Sequence, residues 1–99
     1  MKTNEFMNSN LQTIKKIIQD LPKDSFDSHV VIQAIAKKFE PDYVRLLTLY
    51  KKKPHRIVHS LIASNLVKNK KILGIEKNGK VSSATVFGIN NPNQFWDKK

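Results

Sequence analysis

The hydrophobic period changes once along these 99 residues, close to position 70. Before it, apolar residues recur at three- and four-residue spacing, the pattern of amphipathic helices; after it, they run in short β-branched stretches. Such a chain is confined to a set of helices followed by a hairpin. Prolines at positions 22, 41 and 54 divide the helical part, because proline cannot sit inside a helix without breaking its ladder.

Residues 10–21 place Leu11, Ile14, Ile17, Ile18 and Leu21 on one face and Gln12, Lys15, Lys16, Gln19 and Asp20 on the other, with Asn10 able to cap the start and Pro22 closing the end. Residues 27–39 form a second helix. Phe26, Asp27 and Val31 fall at N′, N-cap and N4, the spacing of a hydrophobic staple. Val31, Ile32, Ile35 and Phe39 share a face opposite His29, Gln33 and Lys37. Pro41 suits the first turn of a third helix, 41–51, with Asp42 complementing its dipole and Tyr43, Leu46, Leu47 and Tyr50 turned inward.

Lys51-Lys52-Lys53-Pro54 then breaks the helix, and Pro54 opens a fourth, 54–69. Its apolar side holds Ile57, Val58, Leu61 and Ile62, with Leu66 at the edge. Arg56, His59, Ser60, Ala63, Ser64 and Val67 lie opposite. Asn65 falls within the apolar face and is expected as a buried amide bonded to nearby backbone. From residue 72 to 87 two β-rich runs flank Asn78-Gly79, the dipeptide of a two-residue hairpin turn. Residues 1–9 read as a flexible N-terminus. Residues 88–99 read as a polar C-terminal tail that docks Phe95 and Trp96 on the domain. The expected fold class is mainly α with a C-terminal β-hairpin, as one domain over 1–99, which is the size that supports one hydrophobic core.

Charge divides the chain again. Residues 1–44 carry six lysines and six acids and balance, whereas residues 45–80 hold ten basic side chains against Glu76 alone, a net +9 out of +10 for the whole chain. Nine unbalanced charges in one segment repel one another unless a polyanion relieves them, and a phosphate backbone does so by counterion release. The excess of lysine, sixteen to two arginines, reads as the coding bias of an AT-rich genome and says little about mechanism.

Other chemistry is thinly represented. The absence of cysteine removes disulfides, thiolate nucleophiles and cysteine-zinc sites. His55 and His59 stand at i, i+4, a spacing that can share a metal, but no third ligand lies near in sequence, so no metal is expected. The acids at 20, 24, 27, 40 and 42 fall at helix ends and turns, where capping accounts for most of them. No nucleophile–base set, phosphate loop or dinucleotide fingerprint occurs, so neither an enzyme nor a cofactor is expected. No apolar run reaches the ~18 residues of a membrane span, and the N-terminus lacks the apolar core of a signal peptide; the expectation is a cytoplasmic protein.

Helix, helix, short turn, helix and then a hairpin with a basic tip resembles a winged helix-turn-helix domain. On that resemblance residues 27–39 are the first helix, 41–51 the second, Lys51 to Pro54 the turn, 54–69 the recognition helix and 72–87 a two-stranded wing. The match is of order and spacing over about 60 residues. It departs from the pattern in having no glycine in the turn, and no small residue in the second helix where the two helices would cross.

The resemblance implies binding of double-stranded DNA by a transcriptional regulator or by an accessory protein of a mobile element or phage. The recognition helix would enter the ~12 Å major groove, which its small outward residues Ser60, Ala63 and Ser64 permit. Arg56 is the candidate for guanine, with His55, His59 and Ser60 reaching base edges or phosphates. Lys51, Lys52 and Lys53 before the helix, Lys68, Lys70 and Lys71 after it, and Lys77, Asn78 and Lys80 at the wing tip would hold the backbone without reading sequence. Two other readings stay open. An RNA-binding module would use the same basic surface, although no row of aromatics forms a base-stacking platform. A protein-interaction domain would turn the lysines toward an acidic partner. If the chain pairs as a homodimer, residues 10–21 are the expected interface.

Overall fold

A computed structural model describes the backbone of residues 2–84 and 90–99 and the side chains of residues 2–80 and 93–99. The described residues form six helices and one three-stranded antiparallel sheet: α1 (Thr3–Ser9), α2 (Leu11–Gln19), β1 (Ser25–Asp27), α3 (Ser28–Lys38), α4 (Glu40–Leu47), α5 (Pro54–Lys68), α6 (Lys70–Leu73), β2 (Ile75–Ala84) and β3 (Asn90–Lys98). Among them no helix is long and apolar enough to cross a membrane.

The helical faces pack as their periodicity requires. Ile14 and Ile18 of α2, Val31, Ile32 and Ile35 of α3, Tyr43 and Leu46 of α4, and Val58, Ile62 and Leu66 of α5 meet in one buried cluster. Asp27 caps α3, its Oδ1 accepting from the Val30 amide at 2.9 Å. Leu11 and Ile17 of α2 pack partly buried against this core, and the helix exposes Gln12, Lys16 and Gln19.

The N-terminus differs from expectation. Residues 3–9 are not a flexible extension but α1, with Phe6 and Met7 in the core and Phe6 edge-on to Phe39 at 5.1 Å. Seven residues are too few to hold a helix in water, so burial supplies the stability, about 2 kcal/mol for each of the two side chains. Asn10 does not cap α2 with its side chain. Its Nδ2 turns back and donates to the Phe6 carbonyl at 2.8 Å, closing the end of α1 instead.

In the connection into α5, Lys53 takes the left-handed conformation (φ 48°) just before Pro54. The hairpin segment starts later than position 72. Lys70–Leu73 form the short α6, and Gly74 (φ 71°) ends it in the left-handed conformation that only glycine adopts without cost.

The largest correction concerns the hairpin and the tail. Asn78-Gly79 is not a turn: β2 runs through it to Ala84, and the expected strand end at 85–87 lies outside the described residues. Lys77 pairs with Trp96 and Lys80 with Gln94, so Asn78 and Gly79 together stand opposite Phe95 in a β-bulge. Residues 90–98 are not a tail but β3, the central strand in the order β1-β3-β2. Trp96 is fully buried there, and its Nε1 donates to Ser28 Oγ at 2.9 Å. Lys98 ends the strand with its Nζ on the Leu21 and Gln19 carbonyls at 2.7 and 3.2 Å, capping the C-terminal end of α2.

Candidate nucleic-acid interface

The outward side of α5 forms one wall of a groove of about 950 Å³; the N-terminal turn of α3 and the β2–β3 sheet form the other. From α5 and its start come Lys53, Pro54, His55, Arg56, His59, Ser60, Ala63, Ser64 and Val67. Their spacing explains their gathering: with Val58, Ile62, Asn65 and Leu66 turned into the core, the residues on the opposite side of the helix face out. The sheet contributes Lys77, Lys80, Asn93 and Gln94, and α3 contributes Ser28, His29 and Ile32.

The second wall is set by polar clips. Ser28 Oγ accepts from the Trp96 indole and donates to the Gln94 carbonyl at 3.0 Å, so the first residue of α3 is bonded to β3. The His29 amide donates to Asn93 Oδ1 at 3.2 Å. Gln94 Nε2 in turn donates to the Gly79 carbonyl at 2.6 Å, reaching across the bulge. The bulge matters for charge placement. In a regular strand, residues three apart point to opposite faces; with one extra residue inserted, Lys77 and Lys80 share a face, because Trp96 and Gln94 opposite them do.

A second, shallower hollow of about 460 Å³ is bordered by Lys52, Lys53, Arg56, Ile57, Ser60 and Leu61. Arg56 and Ser60 border both hollows and are exposed, so this flank of α5 stands as a ridge between them. Of the other residues expected at the interface, Lys51 is exposed in the turn before α5, Lys68 is exposed at its end, and Lys70 and Lys71 sit on α6, none of them lining the groove. Asn78 is exposed but does not line the groove, and its Nδ2 donates to Asp97 Oδ1 at 3.1 Å.

The three histidines of the chain all line this groove. The Tyr43 hydroxyl, reaching from α4, lies 3.0 Å from His55 Nδ1 and 2.6 Å from His59 Nε2, and its ring stacks on His59 at 5.8 Å. Burial, with His55 and His29 close by, pushes the His59 imidazole down to about 4, so it is neutral at physiological pH. Burial also raises the Tyr43 phenol above its ordinary value. Among the described residues, no group of three His, Cys, Asp or Glu side chains is disposed to hold a metal ion.

Sequence reasoning missed Ser28, His29, Ile32, Asn93 and Gln94. His29 was legible as outward-facing on its helix, but nothing local says that β3 returns beside it. Asn65 is where it was expected: it is buried, and its Nδ2 donates to the Leu61 carbonyl and to Asn4 Oδ1, both at 2.8 Å. Compared with family models, with curated proteins and with solved structures, the chain matches none.

Proposed function

We propose that this chain is a binding module for double-stranded DNA, of the winged helix-turn-helix type, with α5 as the recognition helix and β2–β3 as the wing. One observation carries the reading: the ridge of α5 headed by Arg56 and the paired lysines of β2 border a single groove, within the segment that holds +9 of the net charge. A ridge with serine and alanine along it admits close approach to base edges, and Arg56 near its N-terminal end is placed for a bidentate contact to guanine. Lys77 and Lys80, on the same face across the groove, are placed for the sugar–phosphate ridge between the major groove and the neighbouring minor groove. The strand β1, which ties α3 to β3, supports the winged reading, because it fixes the sheet beside the helices.

The test is titration of labelled duplex DNA from low to physiological salt, for the wild type and for a variant with Arg56, Lys77 and Lys80 changed to alanine. With ~6 phosphates neutralised, log K falls against log salt with a slope of about −5. The variant is expected to lose affinity and, through the two phosphate-facing lysines, to flatten the slope by about 2. Single strands and RNA serve as competitors; RNA that outcompetes duplex DNA reassigns the groove. No binding at low salt refutes the nucleic-acid reading and leaves the basic segment to an acidic protein.

A further inference from the structure

The Tyr43 phenol stands between two imidazoles of α5 and has only one proton to give, so it donates to one ring and accepts from the other. The roles depend on the tautomer of each ring, and the distances favour one arrangement. Hydroxyl donors make shorter bonds than N–H donors. The 2.6 Å contact to His59 Nε2 fits the phenolic O–H donating, and the 3.0 Å contact fits His55 Nδ1–H donating to the phenolic oxygen. A neutral imidazole that accepts at Nε2 carries its proton on Nδ1. His59 is neutral at physiological pH because burial and the two neighbouring histidines disfavour its charge. The ring borders the groove, and among the described residues its Nδ1 makes no hydrogen bond.

We infer that Tyr43 is a positioning residue of the groove, holding His59 in the Nδ1–H tautomer so that it presents one fixed, uncharged donor to an acceptor oxygen or nitrogen of bound duplex DNA. This rests on the DNA reading above. It adds to that reading a contact of a different kind from the lysines. A charged side chain on a phosphate releases a counterion and steepens the salt dependence, whereas a neutral donor adds affinity without changing it. A neutral donor whose orientation is held by a phenol and a stacked ring also loses little side-chain freedom when it binds. Tyr43 itself is buried under α5 and absent from the groove wall, so its effect on binding passes through the histidines it touches, and the His59→Ala background separates the share of His59 from that of His55.

The variant is Tyr43→Phe, which keeps the buried ring and removes only the hydroxyl; a thermal melt checks that it folds. Two readouts follow. In ¹⁵N spectra of the free protein at pH 7, His59 is expected with Nδ1 protonated and Nε2 bare in the wild type, and without that fixed pattern in Y43F. In duplex titrations, Y43F is expected to bind roughly fivefold more weakly with an unchanged salt slope, and to cost nothing further when His59 is already alanine. His59 protonated at Nε2 in the wild type overturns the inference, as does an equal Y43F loss in the H59A background. A wild type that binds DNA while Y43F binds equally well overturns this role alone. A wild type that ignores duplex DNA at every salt overturns the DNA reading and this role with it.

Discussion

Changing Trp96 to phenylalanine tests whether residues 90–98 are the middle of the sheet. Trp96 is the only tryptophan in the chain, has no exposed surface, and pairs with Phe26 on one side and Lys77 on the other. Phenylalanine keeps one ring but removes about two methylene equivalents of buried volume, worth roughly 1.5 kcal/mol. It also removes the indole N–H bond to Ser28 Oγ, a further ~1 kcal/mol. The expected cost is therefore about 2–3 kcal/mol, a large share of the 5–15 kcal/mol typical of a domain this size. It should lower the melting temperature by roughly 10–20 °C. Urea unfolding followed by far-ultraviolet circular dichroism measures the difference, and the buried indole of the wild type should emit in the blue until the sheet opens. A variant within ~0.5 kcal/mol of the wild type, together with red-shifted native emission, would refute the central-strand assignment.

Other predictions follow from backbone and charge. Gly79→Ala puts a Cβ at φ 73° with nothing within 4 Å of it, so the strain is in the backbone alone; a loss of about 1–2 kcal/mol is expected by chemical denaturation, with weaker duplex binding if Lys77 and Lys80 lose their common face. Lys53→Gly relieves the same conformation ahead of Pro54, and, after the entropy glycine restores to the unfolded chain, a gain of ~0.5 kcal/mol is expected in the same assay. His59 gives a pH dependence whose sign is set by its lowered value. The unfolded imidazole protonates near 6.5 while the folded one stays neutral to about 4, so stability present above pH 6.5 is lost as pH falls toward 4. A His59→Gln variant should show a flatter melting profile over that window, and an unchanged profile would mean that another group titrates there.

Most helices and much of the core were legible because their signal is local. Ile14, Ile18, Val31, Ile32, Ile35, Val58, Ile62 and Leu66 recur at helical spacing, and one core accepts them without knowing where the helices lie. Asp27 as a cap was legible for the same reason, since cap and capped amide are three residues apart. The N-terminal α1 was not: Thr3–Ser9 is mainly polar, and its two core residues are adjacent, with no repeat to show a period.

The candidate site was legible by half. The outward face of α5 and the charge of residues 45–80 were written in spacing and composition. What closes the groove was decided by long-range pairing. Asn90–Lys98 is polar, contains Pro92 and buries only Trp96 among its described side chains, so nothing within it marks a strand. It becomes one because β1 and β2 offer it hydrogen bonds on both edges, and Pro92 is tolerated because it lies beyond the short β1, which reaches only Phe95 to Asp97. Gly79 shows the division most clearly. In the structure Gly79 takes a positive φ, which glycine adopts without steric cost. Whether the positive φ makes a turn or a bulge depends on where the partner strand lies. With Trp96 and Gln94 opposite Lys77 and Lys80, β2 runs on through the bulge, and both lysines face the groove.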